Sequence, residues 1–147
     1  MASLRRERDI FPDIHISEMA MAQHSTATVA QELVSLCRAG RNMDAINELY
    51  SSDIVSIEPM GNEEMPARMT GLDAIRRKNQ WWYDNNEVHS ATVNGPFVGE
   101  DQFAVEYAYE TTHKPTGRRN AMREVAVYTV KDGKIVSEQF YYNAPGA

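Results

Sequence analysis

The sequence predicts an α+β domain in which three helices are followed by an antiparallel sheet that they cover on one face. Apolar residues recur at the helical period in the first half of the chain, whereas a period of two dominates from about residue 88 onward. Near the C-terminus, Asp132-Gly133 lies between two β-branched and aromatic runs. That dipeptide supplies the positive φ angles of a type I′ hairpin turn. Helices followed by successive hairpins are typical of the α+β class.

The helical pattern predicts three elements. The first spans residues 26–38 and can be closed by Gly40. A short second helix follows residue 42, and its apolar side includes Tyr50. The third extends from about residue 70 to residue 85 and includes the basic triplet Arg76-Arg77-Lys78, which we interpret as a solvated face.

The strand pattern predicts one short strand and four long ones. The short strand covers residues 53–58 and is stopped by Pro59, and a polar loop follows at 62–68. The long strands cover about 88–98, 103–113, 119–130 and 134–142. Asn94-Gly95-Pro96 interrupts the first of them, which predicts a bulge or bend.

Bulk composition limits the classes of partner. The 147 residues suit a single domain at 25–147, preceded by an arm or lead-in at 1–24 that lacks the apolar run of a secretory signal. A net charge of −6 does not favour nucleic acid or an anionic membrane as a partner, and no apolar run is long enough to span a bilayer.

The chain has a single cysteine, Cys37, which excludes an intrachain disulfide. The position of Cys37 is more typical of a buried core thiol than of a nucleophile. A single cysteine also agrees with a cytoplasmic location.

The two faces of the last strands predict different roles. One face combines carboxyl groups with large aromatic side chains, as small-molecule pockets do. The alternative is that these are ordinary core aromatics and that the glutamates lie at wet strand ends. The pocket prediction comprises Glu124, Tyr128, Glu138, Phe140 and Tyr142 of the final hairpin, together with Tyr50, Trp82, Phe103 and Tyr107.

The opposite face of the same strands is also apolar. Val125, Val127 and Thr129 lie on it. Because the helices can cover only one face of the sheet, something else must cover this one. A second copy of the chain is the simplest cover, so we expect a homodimer.

Several motifs, taken in order, resemble the nuclear transport factor 2-like superfamily, in particular its SnoaL-like and ketosteroid-isomerase-like branch. They are the entry AGRNMDAINELYSSDIVSIEPMG, the glycine-led start of the third helix at residues 70–75, and the hairpin VYTVKDGKIVSEQFYY. The resemblance covers about residues 26–142. It implies a cystatin-like cone, with three N-terminal helices packed on a curved, mostly antiparallel sheet that encloses a pocket.

The resemblance also carries over individual residues. Steroid isomerases of this branch place a general-base carboxylate just before the proline that ends the short strand, where this chain has Glu58. Their two oxyanion donors fall on Leu33 and Ala126, so both donors are missing here. Losing even one such donor typically costs about 10²–10³-fold in rate. Steroid isomerisation by that machinery is therefore not expected, and Tyr128 or a protonated Glu124 can replace the donors.

Two functions from different classes remain open. One is cofactor-free proton transfer next to a carbonyl group of a hydrophobic substrate, as in an isomerase, cyclase or dehydratase, with Glu58 as base and Glu124 or Tyr128 as donor. The other is a non-catalytic domain that binds a small apolar ligand or a protein partner. No metal motif is present, since His89 and His113 lie at predicted strand ends and no histidines or cysteines cluster.

Overall fold

The computed structural model describes the backbone of residues 13–143 and the side chains of residues 25–143. The helices are α1 (Asp13–Arg38), α2 (Asn42–Leu49) and α3 (Leu72–Asn85). The strands are β1 (Tyr50–Ile57), β2 (Arg68–Thr70), β3 (Asn86–Val98), β4 (Gln102–His113), β5 (Arg118–Lys131) and β6 (Lys134–Tyr141). No helix in this part of the chain is long and apolar enough to cross a membrane.

The six strands form one curved sheet in the order β2-β1-β6-β5-β4-β3. Every neighbouring pair is antiparallel except β1 and β6, which run parallel. The predicted α+β class, with three helices on a mostly antiparallel sheet, is therefore confirmed. The strand β2 was not predicted, because its three residues fall where the predicted loop at 62–68 meets the predicted start of the third helix near residue 70.

The first helix begins earlier than predicted. It starts at Asp13, directly after Pro12, rather than at Thr26. At its C-terminus the predicted glycine cap is confirmed, since Gly40 has a φ of +73°. The backbone N–H groups of Gly40 and Arg41 donate to the carbonyl oxygens of Cys37 and Leu36 at 3.1 and 2.8 Å, which is the Schellman arrangement. Residues 1–12 of the predicted arm lie outside the described residues, as do the side chains of 13–24.

Both predicted irregularities of the strands are present. Asp132 and Gly133 have φ angles of +52° and +74°, as the hairpin turn requires. The pairing of β3 with β4 changes register between Asn94 and Phe97. A further register change between Thr129 and Val130 was not predicted, and it turns Ile135 inward to full burial.

The core lies between the helices and one face of the sheet. The buried stripe of α1 includes Val29, Leu33 and Cys37 at four-residue spacing, so one side of the helix faces the sheet. Contacts run from α1 to β3, β4 and β5, and from α3 to β1, β2 and β3. These two helices thus approach different parts of the sheet.

Candidate functional site

A cavity of about 170 Å³ lies between the helices and the inner face of the sheet. Its walls combine carboxyl groups, an ammonium group, tyrosine hydroxyls and apolar side chains. The lining residues are Leu33, Cys37, Asn42, Ile46, Tyr50, Glu58, Ile75, Lys78, Asn79, Trp82, Tyr83, Tyr107, Tyr109, Met122, Glu124, Tyr128, Glu138, Phe140 and Tyr142.

The sheet brings the polar groups together through rows of paired residues. In one row Ser56 of β1, Glu138 of β6 and Tyr128 of β5 are direct neighbours. A second row pairs Glu124 of β5 with Tyr107 of β4. Since side chains alternate between faces along each strand, residues in these rows point to the same inner side.

Glu138 forms the centre of the buried polar network. Its side chain is 2% exposed. The hydroxyl of Tyr50 donates a very short hydrogen bond to one carboxylate oxygen, and the hydroxyl of Ser56 donates to the other at 2.8 Å. Burial, followed by the nearby Glu138 carboxylate, raises the pKa of Tyr50, so this phenol stays protonated as a donor.

Lys78 joins α3 to this network. Its Nζ lies 2.9 Å from Glu58 Oε1, 2.5 Å from Ser56 Oγ and 3.5 Å from Glu138 Oε1. The same ammonium lies 4.8 Å from the centre of the Phe140 ring, within cation–π distance. Lys78 therefore neutralises part of the charge of two glutamates at once.

Glu58 lies just beyond the end of β1 and lines the cavity, on the same side as the buried Ser56 and Ile54 two and four residues earlier. Its Oε1 accepts from Lys78, and its Oε2 accepts from the Tyr142 hydroxyl at 2.9 Å. Burial and the Glu58 carboxylate raise the pKa of Tyr142. Two donors therefore fix the orientation of this carboxylate.

Glu124 differs from the other two glutamates. It lines the cavity, yet no other side chain in the described part of the chain donates a hydrogen bond to it. Burial, followed by the Glu58 charge, raises its pKa from 4.5 to about 8, although Lys78 opposes this shift. A neutral carboxylic acid at pH 7 can donate a hydrogen bond, which a carboxylate cannot.

Two buried tyrosines lie deeper in the cavity. The hydroxyls of Tyr107 and Tyr128 are 2.7 Å apart, and the Cys37 sulfur lies 3.8 Å from the Tyr107 hydroxyl. Burial raises the pKa of Cys37 to about 11. A thiol that stays protonated at neutral pH is a poor nucleophile, in agreement with the predicted core role.

Most residues of the predicted site line this one cavity. They are Glu58, Glu124 and Tyr128, together with Tyr50, Trp82, Tyr107, Glu138, Phe140 and Tyr142. Phe103 is not among the residues that line the cavity. This side chain is buried in the core, where its ring stacks on that of Tyr128 with centres 4.8 Å apart.

Lys78 was missed by sequence reasoning, which placed it on a solvated helix face. Its side chain is only 17% exposed, while its neighbour Arg77 is exposed. A signal was available, since Lys78 follows Ile75 by three residues and precedes Trp82 by four. All three line the cavity, as helical spacing requires of one face.

The two histidines considered for chemistry lie elsewhere. His89 is exposed on β3, where it pairs with Thr112 at 2.6 Å, and His113 pairs with Thr116 at 2.9 Å beside a turn. Within the described residues, no three His, Cys, Asp or Glu side chains are grouped to hold a metal ion.

The family model for the SnoaL-like domain matches residues 24–142, which is most of the chain. This protein belongs to the SnoaL-like family. A candidate SnoaL-like polyketide cyclase from Mesorhizobium loti is 43% identical, with a TM-score of 0.75, and the match covers 79% of this chain and 97% of that one. No curated protein matches the chain.

More distant structures share the fold of this SnoaL-like protein. An NTF2-like protein from Anabaena variabilis has 18% identity and a TM-score of 0.64 over 83% of this chain and 92% of that one. A candidate isomerase from Bacillus subtilis has 18% identity and a TM-score of 0.62 over 83% of this chain and 88% of that one. The predicted SnoaL-like branch is confirmed by the family model, and these two structures show that the chain shares the NTF2-like fold.

Proposed function

We propose that this SnoaL-like protein catalyses cofactor-free proton transfer at a carbon next to a carbonyl group of a small hydrophobic substrate. The observation that carries the proposal is that Glu124, unpaired with other described side chains, shares one cavity with the Lys78-bound carboxylate of Glu58. A base and a neutral acid in the same cavity are the two groups that enolisation needs. The name of the Mesorhizobium loti protein gives polyketide cyclase and also carbohydrate phosphatase, and that of the Bacillus subtilis protein gives isomerase. Cyclase and isomerase activities agree with such chemistry, whereas phosphatase activity does not.

In the proposed reaction, a Glu58 oxygen accepts the proton from the carbon. The electron pair of the broken C–H bond forms the enolate double bond, and charge moves to the carbonyl oxygen. Glu124 stabilises that oxygen by donating its O–H hydrogen bond. Glu58 then returns the proton to the same or another carbon. Glu124 suits the donor role better than Tyr128, whose hydroxyl is already paired with Tyr107.

Deuterium exchange tests the proposal without knowledge of the natural substrate. Small cyclic and aromatic ketones in D₂O are followed by proton NMR for loss of the signals next to the carbonyl. We expect exchange above background with the native protein and not with Glu58→Gln. Glu110→Gln is the matched control, because Glu110 is exposed on β4. Equal exchange by both variants would rule out Glu58 as the base.

The second candidate is a non-catalytic binding domain. Both oxygens of Glu58 already have donors, Lys78 and Tyr142, and Glu138 is similarly engaged. These contacts are also what structural carboxylates make in a protein that only holds a ligand. Saturable binding of a ketone without any deuterium exchange would favour this candidate over catalysis.

We also propose a homodimer that forms through the outer face of the sheet. One outward-facing row crosses five strands through Phe97, Ala104, Val127, Gln139 and Ile57. Phe97 is 59% exposed and Tyr141, on the same face, is 52% exposed. The helices lie on the other side, so a second copy is the cover that these side chains support.

A further inference from the structure

The volume of the cavity sets the size of its ligand. At about 170 Å³ it lies below the range of about 300–1,000 Å³ usual for drug-sized ligands. An engineered apolar cavity of about 150 Å³ holds one benzene molecule. Leu33 and Ile75, each 1% exposed, are among its apolar lining residues. The volume is that of a single six-membered ring, and a fused four-ring skeleton would have to extend beyond it.

The charges in the cavity disfavour an anionic ligand. Lys78 is the one cation among the described lining residues. An ammonium group has three N–H donors, and three acceptors already surround this one, on Ser56, Glu58 and Glu138. A ligand carboxylate would find no free cation there and would meet two carboxylates.

The polar groups that remain available are uncharged. The Asn79 amide, the Trp82 indole and the Glu124 carboxyl line the cavity, and none of these side chains is hydrogen bonded to another part of the described chain. The amide and the indole have N–H donors, and the raised pKa of Glu124 keeps it an O–H donor at neutral pH. Such donors match a carbonyl oxygen.

We infer that the cavity selects an uncharged carbonyl compound about the size of one six-membered ring, in preference to carboxylates and polycyclic ketones. The carbonyl group in this inference rests on the proposed proton transfer. The limit on ligand size rests on the volume of the cavity, and the limit on ligand charge rests on the occupied N–H donors of Lys78. Both limits apply equally if the protein only binds its ligand.

The test uses the two tryptophans as reporters. Trp82 lines the cavity, whereas the adjacent Trp81 is 36% exposed outside it. The two indole N–H signals of ¹⁵N-labelled protein are assigned with Trp81→Phe and followed at pH 6.5. Cyclohexanone, cyclohexanecarboxylate and a steroid ketone are titrated in turn, so that the first two differ in charge and not in ring size.

We expect cyclohexanone to shift the Trp82 signal saturably and to leave Trp81 unchanged. The carboxylate should require at least tenfold higher concentration, and the steroid ketone should not compete. The inference is overturned if cyclohexanone does not bind, if the carboxylate binds as tightly, or if the steroid ketone displaces it. Selective binding of cyclohexanone without deuterium exchange would instead refute the proposed catalysis and leave this selectivity intact.

Discussion

At the scale of single residues, Glu124 couples the cavity to the stability of the protein. Its pKa is raised from 4.5 to about 8 in the folded chain, so the folded state holds a proton that the unfolded state releases between these values. The stabilisation is complete below pH 4.5 and is lost as the pH rises toward 8. Each unit of pKa corresponds to about 1.4 kcal/mol, and we expect a fall on the order of 3 kcal/mol after allowance for partial solvation.

This fall is measured as the free energy of unfolding in urea at pH 5, 6.5 and 8. Glu124→Gln keeps the shape and removes the ionisation, so its stability should decline less across the series than that of the native protein. Glu110→Gln, at an exposed site, should follow the native protein. Parallel curves for all three proteins would show that Glu124 ionises in the folded state as it does in the unfolded chain.

Lys78 is expected to contribute to stability far more than the arginine beside it. Lys78→Met leaves the carboxylates of Glu58 and Glu138 without their shared cation, and breaking a buried pair in this way costs about 3 kcal/mol. Arg77→Met changes an exposed side chain on the same helix and should cost less than about 0.5 kcal/mol. Chemical denaturation at pH 7 compares the two variants. Equal losses would contradict the account of the network.

The sequence identified the lining residues on strands better than those on helices. Successive side chains of a strand point to opposite faces of the sheet, so the positions of Glu124 and Glu138 predicted one shared face. Both residues line the cavity. The basic triplet 76–78 by composition alone predicted a solvated face, and only the helical spacing of Lys78 with Ile75 and Trp82 indicates that this lysine faces the cavity. Phe103 lies on the predicted face of its strand, but its ring stacks on Tyr128 of the neighbouring strand and does not line the cavity.

At the scale of elements, the turn between β5 and β6 holds the strands that carry Glu124 and Glu138. Asp132 has a φ of +52°, where a β-branched side chain is strained. We expect Asp132→Val to lower the free energy of unfolding by about 1–2 kcal/mol. Asp132→Asn should change it by less than about 0.5 kcal/mol, since asparagine tolerates this conformation. Equal stability of the two variants in thermal unfolding would contradict the turn assignment.

The long strands could be predicted to within about two residues because their turns have strong local signals. Pairings between distant segments could not. The parallel pairing of β1 with β6 joins Ser56 to Glu138 across 82 positions of the chain, and no local pattern encodes it. Simple alternation would put Ile135 on the same outer face as Ser137, and the register change beside Val130 brings it into the core instead.

At the scale of the whole molecule, the apolar outer face predicts the state of assembly. Light scattering at micromolar concentration should give twice the chain mass of 16.7 kDa. Val127→Asp places a charge in the middle of that face and should give a monomer with unchanged helical and strand content. Arg77→Asp, on the exposed side of α3, should remain dimeric. A native protein that is monomeric under these conditions would overturn the proposed dimer.

The central claim is that Glu58 and Glu124 act together on a proton next to a carbonyl group. The most direct measurement is the rate of deuterium incorporation into cyclohexanone by the native protein, Glu58→Gln, Glu124→Met, the double variant and Glu110→Gln. Glu58→Gln and Glu124→Met should each lower the rate by about 100-fold or more, and the double variant should be little slower, because residues that act as a unit are not additive. Glu110→Gln should match the native protein. Native-like rates in Glu58→Gln or Glu124→Met would contradict the claim.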